Sequence, residues 1–595
     1  MTQEKDIQAV LREAEDGKHA SRVHAVDCLN RIDFSWHHAA CIRILRNYTL
    51  EPIEPFLKFS AYKRRTKLDV SFSDYDMYQQ EILNPSSMLY QSQPDMVMLS
   101  LWLENLPMAF DHHGQFQPNA VTDHLYGLID QIKKRLPSVI TLNTFLPPSH
   151  DLNGWDLGGQ LADGIAKVNA ELKNHSASDN RLLLVDFEKM LYRIGVKEAM
   201  DLRYWFMFKA PFKPPFLSLW AETLAQVVCC LKGYTRKVLV VDCDNTLWGG
   251  IVGEDGIKGI KLSSYDYPGN VFHAFQKQVV ELQRKGILVV LCSKNNENDV
   301  MEVLDTHPHC IIRREHLSAW RINWNDKATN LQALAKDLNL GLDSFVFIDD
   351  NVAEIELIRE VLPMVDTLQV PPQVSDLPLL LQQYNQFNTL VTSREDNFRT
   401  AQYQVERERK QEAESFADTN SFLASLQLVA EIGEPKLEEL SRVSQLTQKT
   451  NQFNLTTRRY GLGEIEAFSL SEHSLVLVMK VTDKYGEYGL TGACILTQEG
   501  DDCHIDTLLM SCRILGKRLE DLFLDEIIRR AKEKWRSERI IAEFIPTQKN
   551  CQVADFYVNH NFEYIKSDEK HKTYCLRLST YGPQAPSFIQ LQRRE

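Results

Sequence analysis

The stretch that most restricts the fold is Val238-Leu239-Val240-Val241, followed at once by Asp242-Cys243-Asp244-Asn245-Thr246. An unbroken β-branched and Leu run suits a strand buried on both faces, and such strands belong to the interior of parallel sheets. Carboxylates directly behind it stand where open α/β sheets hold their ligands. The pattern returns twice. Ile287–Leu291 runs into Cys292-Ser293-Lys294, and Phe345–Ile348 runs into Asp349-Asp350-Asn351. Helical spacing fills the gaps, at Phe272, Phe275, Val279 and Leu282, and again at Leu331, Leu334 and Leu338. Lys327 opens the second of these helices. Repeated βαβ units predict a parallel sheet with four polar clusters at its carboxyl end.

Acidic residues after a strand are often only loop or helix-cap residues. The combination here is more demanding. Asp242, Asp244, Asp349 and Asp350 at the ends of two strands would repel one another unless a cation neutralised them. An all-oxygen donor set selects a hard cation such as Mg²⁺, which keeps waters and bridges to phosphate. Lys327 adds a fixed positive charge and Ser293 a neutral hydroxyl. That inventory suits a phosphoryl group in transfer.

The series DxDxT, Ser, Lys, DD resembles the four motifs of haloacid-dehalogenase-type (HAD) proteins, in order. Asp242 and Ser293 are 51 residues apart, Ser293 and Lys327 are 34 apart, and Lys327 and Asp349 are 22 apart. The short first gap implies no large cap domain. The resemblance implies that Asp242 is the nucleophile and Asp244 the general acid/base. Thr246, Ser293 and Lys327 would hold phosphoryl oxygens. Asp242, Asp244, Asp349 and Asp350 would hold Mg²⁺. Longer stretches, VDCDNTLWGGIVGEDG (Val241–Gly256), CSKNNE (Cys292–Glu297), FIDDNVAE (Phe347–Glu354) and QLTQKTNQFNLTTRRY (Gln445–Tyr460), resemble FkbH-like proteins. Proteins of that kind are similar to glyceryl-carrier-protein synthases. The resemblance therefore implies a phosphorylated three-carbon substrate, 1,3-bisphosphoglycerate, and an acyl carrier protein whose phosphopantetheine thiol receives the glyceryl unit for polyketide or tetronate assembly. A plain Mg²⁺-dependent phosphatase of a small metabolite, and a non-catalytic phosphate-binding adaptor, are the other two readings.

Acyl transfer needs a thiol acceptor. Cys243, between the two motif aspartates, is a candidate for a covalent thioester, with Mg²⁺ and Lys327 favouring its thiolate. Strand alternation argues the other way, because neighbouring side chains point to opposite faces and Cys243 would then pack beneath the sheet. Cys292 carries the same ambiguity.

The expected architecture is multidomain α/β: a central HAD Rossmannoid sheet (residues 236–370), a helical linker (371–425) and two flanking domains. Residues 1–235 resemble the SGNH-hydrolase-like amino-terminal region of longer FkbH-like proteins, through RNYTLEPIEPFL (Arg46–Leu57) and PDMVMLSLWLENL (Pro94–Leu106). They lack a GDS nucleophile segment, so a structural or partner-binding role is expected. Residues 426–585 resemble the GNAT acyltransferase fold, through a strand (His504–Ser511) leading into Arg513-Ile-Leu-Gly516-Lys517-Arg518 and a helix. By that resemblance Arg513, Gly516, Lys517 and Arg518 would grip a phosphopantetheine arm; a basic helix start that binds nothing is the alternative.

Sixty-seven Lys and Arg stand against 81 Asp and Glu, a net charge of −14, which disfavours unspecific binding to nucleic acid or an anionic membrane. The 12 cysteines include no CxxC pair, which fits a reducing compartment. Met1–Gly17 is charged, without the apolar core of a secretory signal. No run of about 18 apolar residues is visible, so no transmembrane helix is expected. A cytoplasmic protein without nucleic-acid or membrane partners is the expectation.

Overall fold

The fold, seen in a computed structural model, is described for residues 19–31, 38–64, 66–147, 160–233, 235–388 and 418–594, apart from 501, 536, 548–549 and 568–570. Val10, Val405, Arg409, Glu412 and Phe416 are described besides. Most of residues 389–417, the middle of the expected helical linker (371–425), lies outside the described residues. The chain divides into two compact units, residues 1–234 with 459–467, and residues 235–458 with 468–595.

The first unit is built on five parallel strands: β1 (His38–Arg46), β2 (Thr66–Phe72), β3 (Met96–Ser100), β4 (Val139–Asn143) and β5 (Leu182–Val185). Their order is β2-β1-β3-β4-β5, the doubly wound arrangement. β3 and β4 are buried at every position, as unbroken apolar runs require. At the carboxyl ends of these strands the buried polar groups satisfy one another. Ser100 Oγ meets the Tyr48 hydroxyl at 2.8 Å and Asn143 Oδ1 at 3.2 Å, and Asn47 holds Trp102 through both its amide atoms. Ser100 is thus tied to Tyr48 and Asn143, not to a histidine.

Helix Pro214–Leu231 is long and apolar enough to cross a membrane, with a mean hydropathy of 1.2. This corrects the expectation that no such segment exists. Ten of its residues are buried, among them Phe216, Trp220, Leu224 and Val228, and they form part of the core of the first unit beside Phe56 and Phe187.

The second unit begins with β6 (Val238–Val241), β7 (Leu288–Ser293), β8 (Leu317–Ile322), β9 (Phe345–Asp349) and β10 (Asp366–Gln369). All run parallel in the order β10-β9-β6-β7-β8, so β6 lies between β7 and β9. Only short elements, helices Val252–Gly259 and Gly269–Arg284, separate β6 from β7, and there is no large cap. Strand alternation divides the core in two. Leu239, Val241 and Cys243 face Phe272, Phe275 and Val279. Val238 and Val240 face Ala328, Leu331 and Leu334 of helix Lys327–Asp337.

The remainder carries a nine-stranded mixed sheet. Its backbone is β11 (Val429–Gly433), β13 (Ser474–Asp483), β14 (Gly486–Glu499), β15 (Asp502–Met510) and β16 (Arg539–Phe544). The outer strands are β17 (Glu563–Ser567), β18 (Lys572–Arg577) and β19 (Gln590–Arg593). β15 and β16 are parallel but pair only over Cys503–Ile505 and Ile540–Ala542. Beyond that point the short β12 (Phe453–Asn454) pairs with Leu509 and Met510. The Leu455 amide then donates to Leu508 and the Ile545 amide to Leu455, so the chain's own backbone bridges the two strands.

Candidate active site

Sheet order brings the site together. Asp242 follows β6 directly, Asp349 ends the neighbouring β9 and Ser293 ends the neighbouring β7. The Asp242 amide continues the ladder by donating to Ile348 at 3.0 Å. Asp242 and Asp349 continue the alternation of Val240 and Phe347, so both point to the layer of helix Lys327–Asp337. That helix is capped by Asp326, whose carboxylate accepts from the Thr329 amide at 2.8 Å. The cap fixes Lys327 in the first turn, above the carboxylates. Its Nζ is 3.0 Å from Asp242 Oδ1 and 2.5 Å from Asp349 Oδ2.

All three side chains are buried, and Asp350, half-buried, completes the group. Oxygens of Asp242, Asp349 and Asp350 lie within 4.8 Å of one another. Burial pushes Asp242 up to about 6, against the pull of Lys327 and with Asp349 adding repulsion. Burial also raises Asp349, and burial with the Asp242 charge raises Asp350. For Lys327 burial opposes the ammonium, but Asp242 and Asp349 outweigh it and hold its pKa above the ordinary value. Three carboxylates around one ammonium leave uncompensated negative charge. A hard divalent cation supplies what is missing, and carboxylate oxygens are its preferred ligands. Thr246 Oγ1, also buried, makes no hydrogen bond, as a ligand-facing atom would, and Asp242 Oδ1 has the Lys327 ammonium beside it as an ion pair.

Asp244 stands apart from this group. Its Oδ1 accepts from the Trp248 indole at 2.8 Å and from the Val252 amide at 3.1 Å. Its Oδ2 accepts from Asn295 Nδ2 at 3.0 Å. These donors turn the carboxylate toward the loop after β6, so the side-chain oxygens near enough to share a cation are those of Asp242, Asp349 and Asp350, without Asp244, which the expected set included.

Sequence reasoning missed Asn295 and Trp248 as site residues. Asn295 is buried and also donates to Ser293 Oγ at 3.1 Å. Trp248 is fully buried behind Asp244. Both lie within the motif-bearing stretches, two residues after Ser293 and four after Asp244, and a buried donor near a motif carboxylate was the available signal. The turn after Trp248 depends on Gly249, where a Cβ would sit 2.8 Å from the Phe272 ring and 3.2 Å from Lys261 Cβ.

Cys243 requires a correction. Its side chain is fully buried with Leu239, Val241 and Leu247. Burial, helped by the Asp242 charge, raises its thiol well above the ordinary value. The expected thiolate is therefore not favoured, and packing under the sheet is the role that the geometry supports. Cys292 is buried on the other face and its thiol is pushed up to about 12, first by burial.

The basic residues of the expected pantetheine loop have partners within their own domain. Arg518 (φ 59°) pairs with Asp521 at 2.8 Å. Lys517 is buried against the Tyr488 ring and donates to the Arg513 carbonyl. Arg513 Nε donates to Ser511 Oγ at 3.2 Å. Gly516 takes a φ of 76°, which sets the turn before helix Leu519–Trp535.

Residues 237–375 match the family of NLI interacting factor-like phosphatases. No curated protein matches the chain. Among solved structures, the N-terminal part of a Bacteroides fragilis protein containing a phosphatase domain, crystallised with Mg, is 22% identical, with a TM-score of 0.56. The match covers 65% of this chain and 99% of that one. The ribosomal-protein-S18-alanine N-acetyltransferase of Escherichia coli is 12% identical over 26% of this chain and 96% of its own, with a TM-score of 0.21. The N-acetyltransferase PseH of Campylobacter jejuni, in complex with acetyl coenzyme A, is 14% identical over 20% and 77%, with a TM-score of 0.17. The chain thus contains a HAD-type phosphatase domain within a multidomain α/β fold.

Proposed function

We propose that this protein is a Mg²⁺-dependent enzyme that takes 1,3-bisphosphoglycerate at the Asp242 centre and passes its glyceryl unit to the phosphopantetheine thiol of an acyl carrier protein. The observation that carries the reading is the buried group of Asp242, Asp349 and Asp350 around Lys327, a site made for phosphoryl oxygens and a hard cation. Mg²⁺, when bound there, would offset negative charge on the phosphate. The glyceryl and carrier-protein part is supported by the resemblance of Val241–Gly256, Cys292–Glu297 and Phe347–Glu354 to FkbH-like proteins, and the product would enter polyketide- or tetronate-type assembly.

The buried Cys243 shapes the mechanism. Without an enzyme thiolate, the carrier thiol attacks the acyl carbon directly. A C–S bond forms, the C–O bond to the C1 phosphate breaks, and that phosphate leaves with the electron pair. The 3-phosphoglyceryl thioester becomes the glyceryl thioester when Asp242 attacks phosphorus of the 3-phosphate. The P–O bond breaks with its electron pair on the alkoxide oxygen, which takes a proton, and water hydrolyses the aspartyl-phosphate to free phosphate. Lys327, Ser293 and Thr246 hold the phosphate, and the thiol proton passes to Asp244 or to water. Attack by Asp242 on phosphorus of the C1 acyl phosphate, before the thiol arrives, is the competing route. It breaks the P–O bond, releases 3-phosphoglycerate and, once water hydrolyses the aspartyl-phosphate, makes the protein a metabolite phosphatase.

The test weighs a phosphopantetheinylated carrier protein after incubation with the full-length enzyme, Mg²⁺ and generated 1,3-bisphosphoglycerate. A mass gain of one glyceryl unit, absent with Asp242→Asn, supports transfer. Phosphate release without a mass gain on any carrier overturns transfer and leaves the phosphatase.

A further inference from the structure

Large apolar side chains are exposed in one short region of the first unit out of proportion to its length. Helix Leu202–Phe208 exposes Leu202, Tyr204, Phe206, Met207 and Phe208, and Tyr192 and Val196 lie exposed just before it. Phe206, Met207 and Phe208 are 67%, 69% and 56% exposed. Exposed apolar surface gathered in this way marks a contact site.

The backbone shows that this is a built feature. Trp205 is the helix's one buried residue, and its ring packs 4.9 Å from that of Trp102. Asp201 caps the start by accepting from the Arg203 amide at 3.0 Å. At the other end Thr49 donates its hydroxyl to the Phe208 carbonyl at 2.7 Å and its amide to the Lys209 carbonyl at 2.9 Å. The Lys209 amide returns to Trp205 and Tyr204, with Lys209 at φ 54°. The apolar rings therefore project from a helix end at which the Tyr204, Trp205, Phe208 and Lys209 carbonyls already have partners. A helix end paired in this way gives up fewer hydrogen bonds to water when it meets an apolar medium.

Two observations select the occupant. At 100° per residue, the five exposed side chains flank Trp205 on both sides and cover more than half of the helix circumference. A groove on a protein partner meets a single stripe of a helix, whereas a fluid acyl layer solvates every side. The second observation is charge. Residues 187–213 carry six cationic side chains, including Arg203, Lys209 and Lys213, against three acidic ones, Glu188, Glu198 and Asp201. The whole chain carries −14. A local basic excess beside exposed aromatics suits the headgroup layer of an anionic bilayer.

We propose that helix Leu202–Phe208 and its basic surroundings dock this protein on an anionic lipid surface, with Phe206, Met207 and Phe208 inserted at the acyl boundary. The proposal is independent of the chemistry at Asp242, and it replaces the expectation of no membrane partner.

The experiment is vesicle co-sedimentation of the full-length protein, with mixed phosphatidylglycerol–phosphatidylcholine vesicles and with pure phosphatidylcholine vesicles. The wild type is expected to sediment with the mixed vesicles and to be released by salt. Phe206→Ser with Phe208→Ser lowers the bound fraction more than about tenfold. Arg203→Gln with Lys209→Gln weakens binding to the mixed vesicles alone. Both double variants alter exposed side chains, and an unchanged thermal midpoint verifies their fold. Three results overturn the proposal: no sedimentation of wild type with anionic vesicles, equal sedimentation of the Phe variants, or a wild-type oligomer that the Phe variants dissociate while vesicle binding is absent. Loss of carrier loading without vesicle binding would likewise assign the face to a protein partner.

Discussion

The side-chain amide of Asn295 donates to Asp244 Oδ2 at 3.0 Å and to Ser293 Oγ at 3.1 Å, which ties the carboxyl ends of two neighbouring strands into one network. A positioned acid or base depends on such partners. Asn295→Ala is expected to lower kcat about tenfold or more, with a smaller change in KM. Steady-state phosphate release over a substrate series checks this. Trp248→Phe, which removes the indole donor to Oδ1, should lower kcat in the same direction.

Asp242→Asn is expected to reduce phosphate release about 10³-fold or more, because it removes the ligand and nucleophile oxygen together. The readout is inorganic phosphate from the acyl phosphate donor, with Mg²⁺ saturating. Wild-type turnover would dismiss the assignment of the centre.

Asp350→Asn should separate stability from function. Asp350 adds a half-buried charge to a group that already has excess negative charge. Removing it is expected to raise the thermal midpoint in chelator, and to shrink the further rise that Mg²⁺ produces in wild type. Calorimetry with and without Mg²⁺ makes both comparisons.

The raised carboxylates also set a pH dependence. Asp242, with a folded value of about 6, binds more protons folded than unfolded. Stability then falls as pH rises, between the ordinary carboxylate value of about 4 and the folded value. In chelator, the wild type should lose stability relative to Asp242→Asn between those limits. Mg²⁺ should remove the difference in slope, since cation binding favours the ionised group. Melting curves of both proteins across the window test it.

Cys243→Ala is expected to leave carrier loading intact, while destabilising the protein by about 1 kcal/mol through a small cavity. Intact-protein mass of the carrier and a melting curve give the two readings. Abolished loading in a folded variant would restore the covalent thioester.

The pair of His560 and Asp521 offers a pH test in the C-terminal domain. The two are 3.1 Å apart, with Arg518 also on Asp521 and Glu520 nearby. Burial opposes the His560 charge, but Asp521 holds its pKa above the ordinary value. Its contribution is complete below the unfolded value of about 6.5 and is lost as pH rises through the folded one. Burial also opposes the Asp521 charge, yet His560 and Arg518 hold it below its ordinary value. Its contribution is present above about 4 and is lost as pH falls. His560→Gln should therefore cost most near pH 5 to 6, about 1–3 kcal/mol, and least in alkaline buffer. Calorimetry at both pH values decides.

Much of this molecule could be read along the chain. Val238–Val241, Leu288–Leu291 and Phe345–Ile348 are buried strands because unbroken apolar runs have no stable place elsewhere. Polar residues that follow such strands emerge together at one end of a parallel sheet, so Asp242, Ser293, Lys327 and Asp349 were legible as one site. Alternation along a strand has a period of two, and it already set Asp242 against Cys243. Which of the two faces Lys327 was decided by the layer that helix Lys327–Asp337 occupies. The direction of Asp244 likewise depended on Trp248, Val252 and Asn295 closing around it. The exposure of Phe206, Met207 and Phe208 was equally hidden, since an apolar run reads as core until the surrounding chain fails to cover it. Local sequence determines what a segment must do with its own backbone and faces; the direction and burial of a single side chain depend on atoms that only folding brings alongside it.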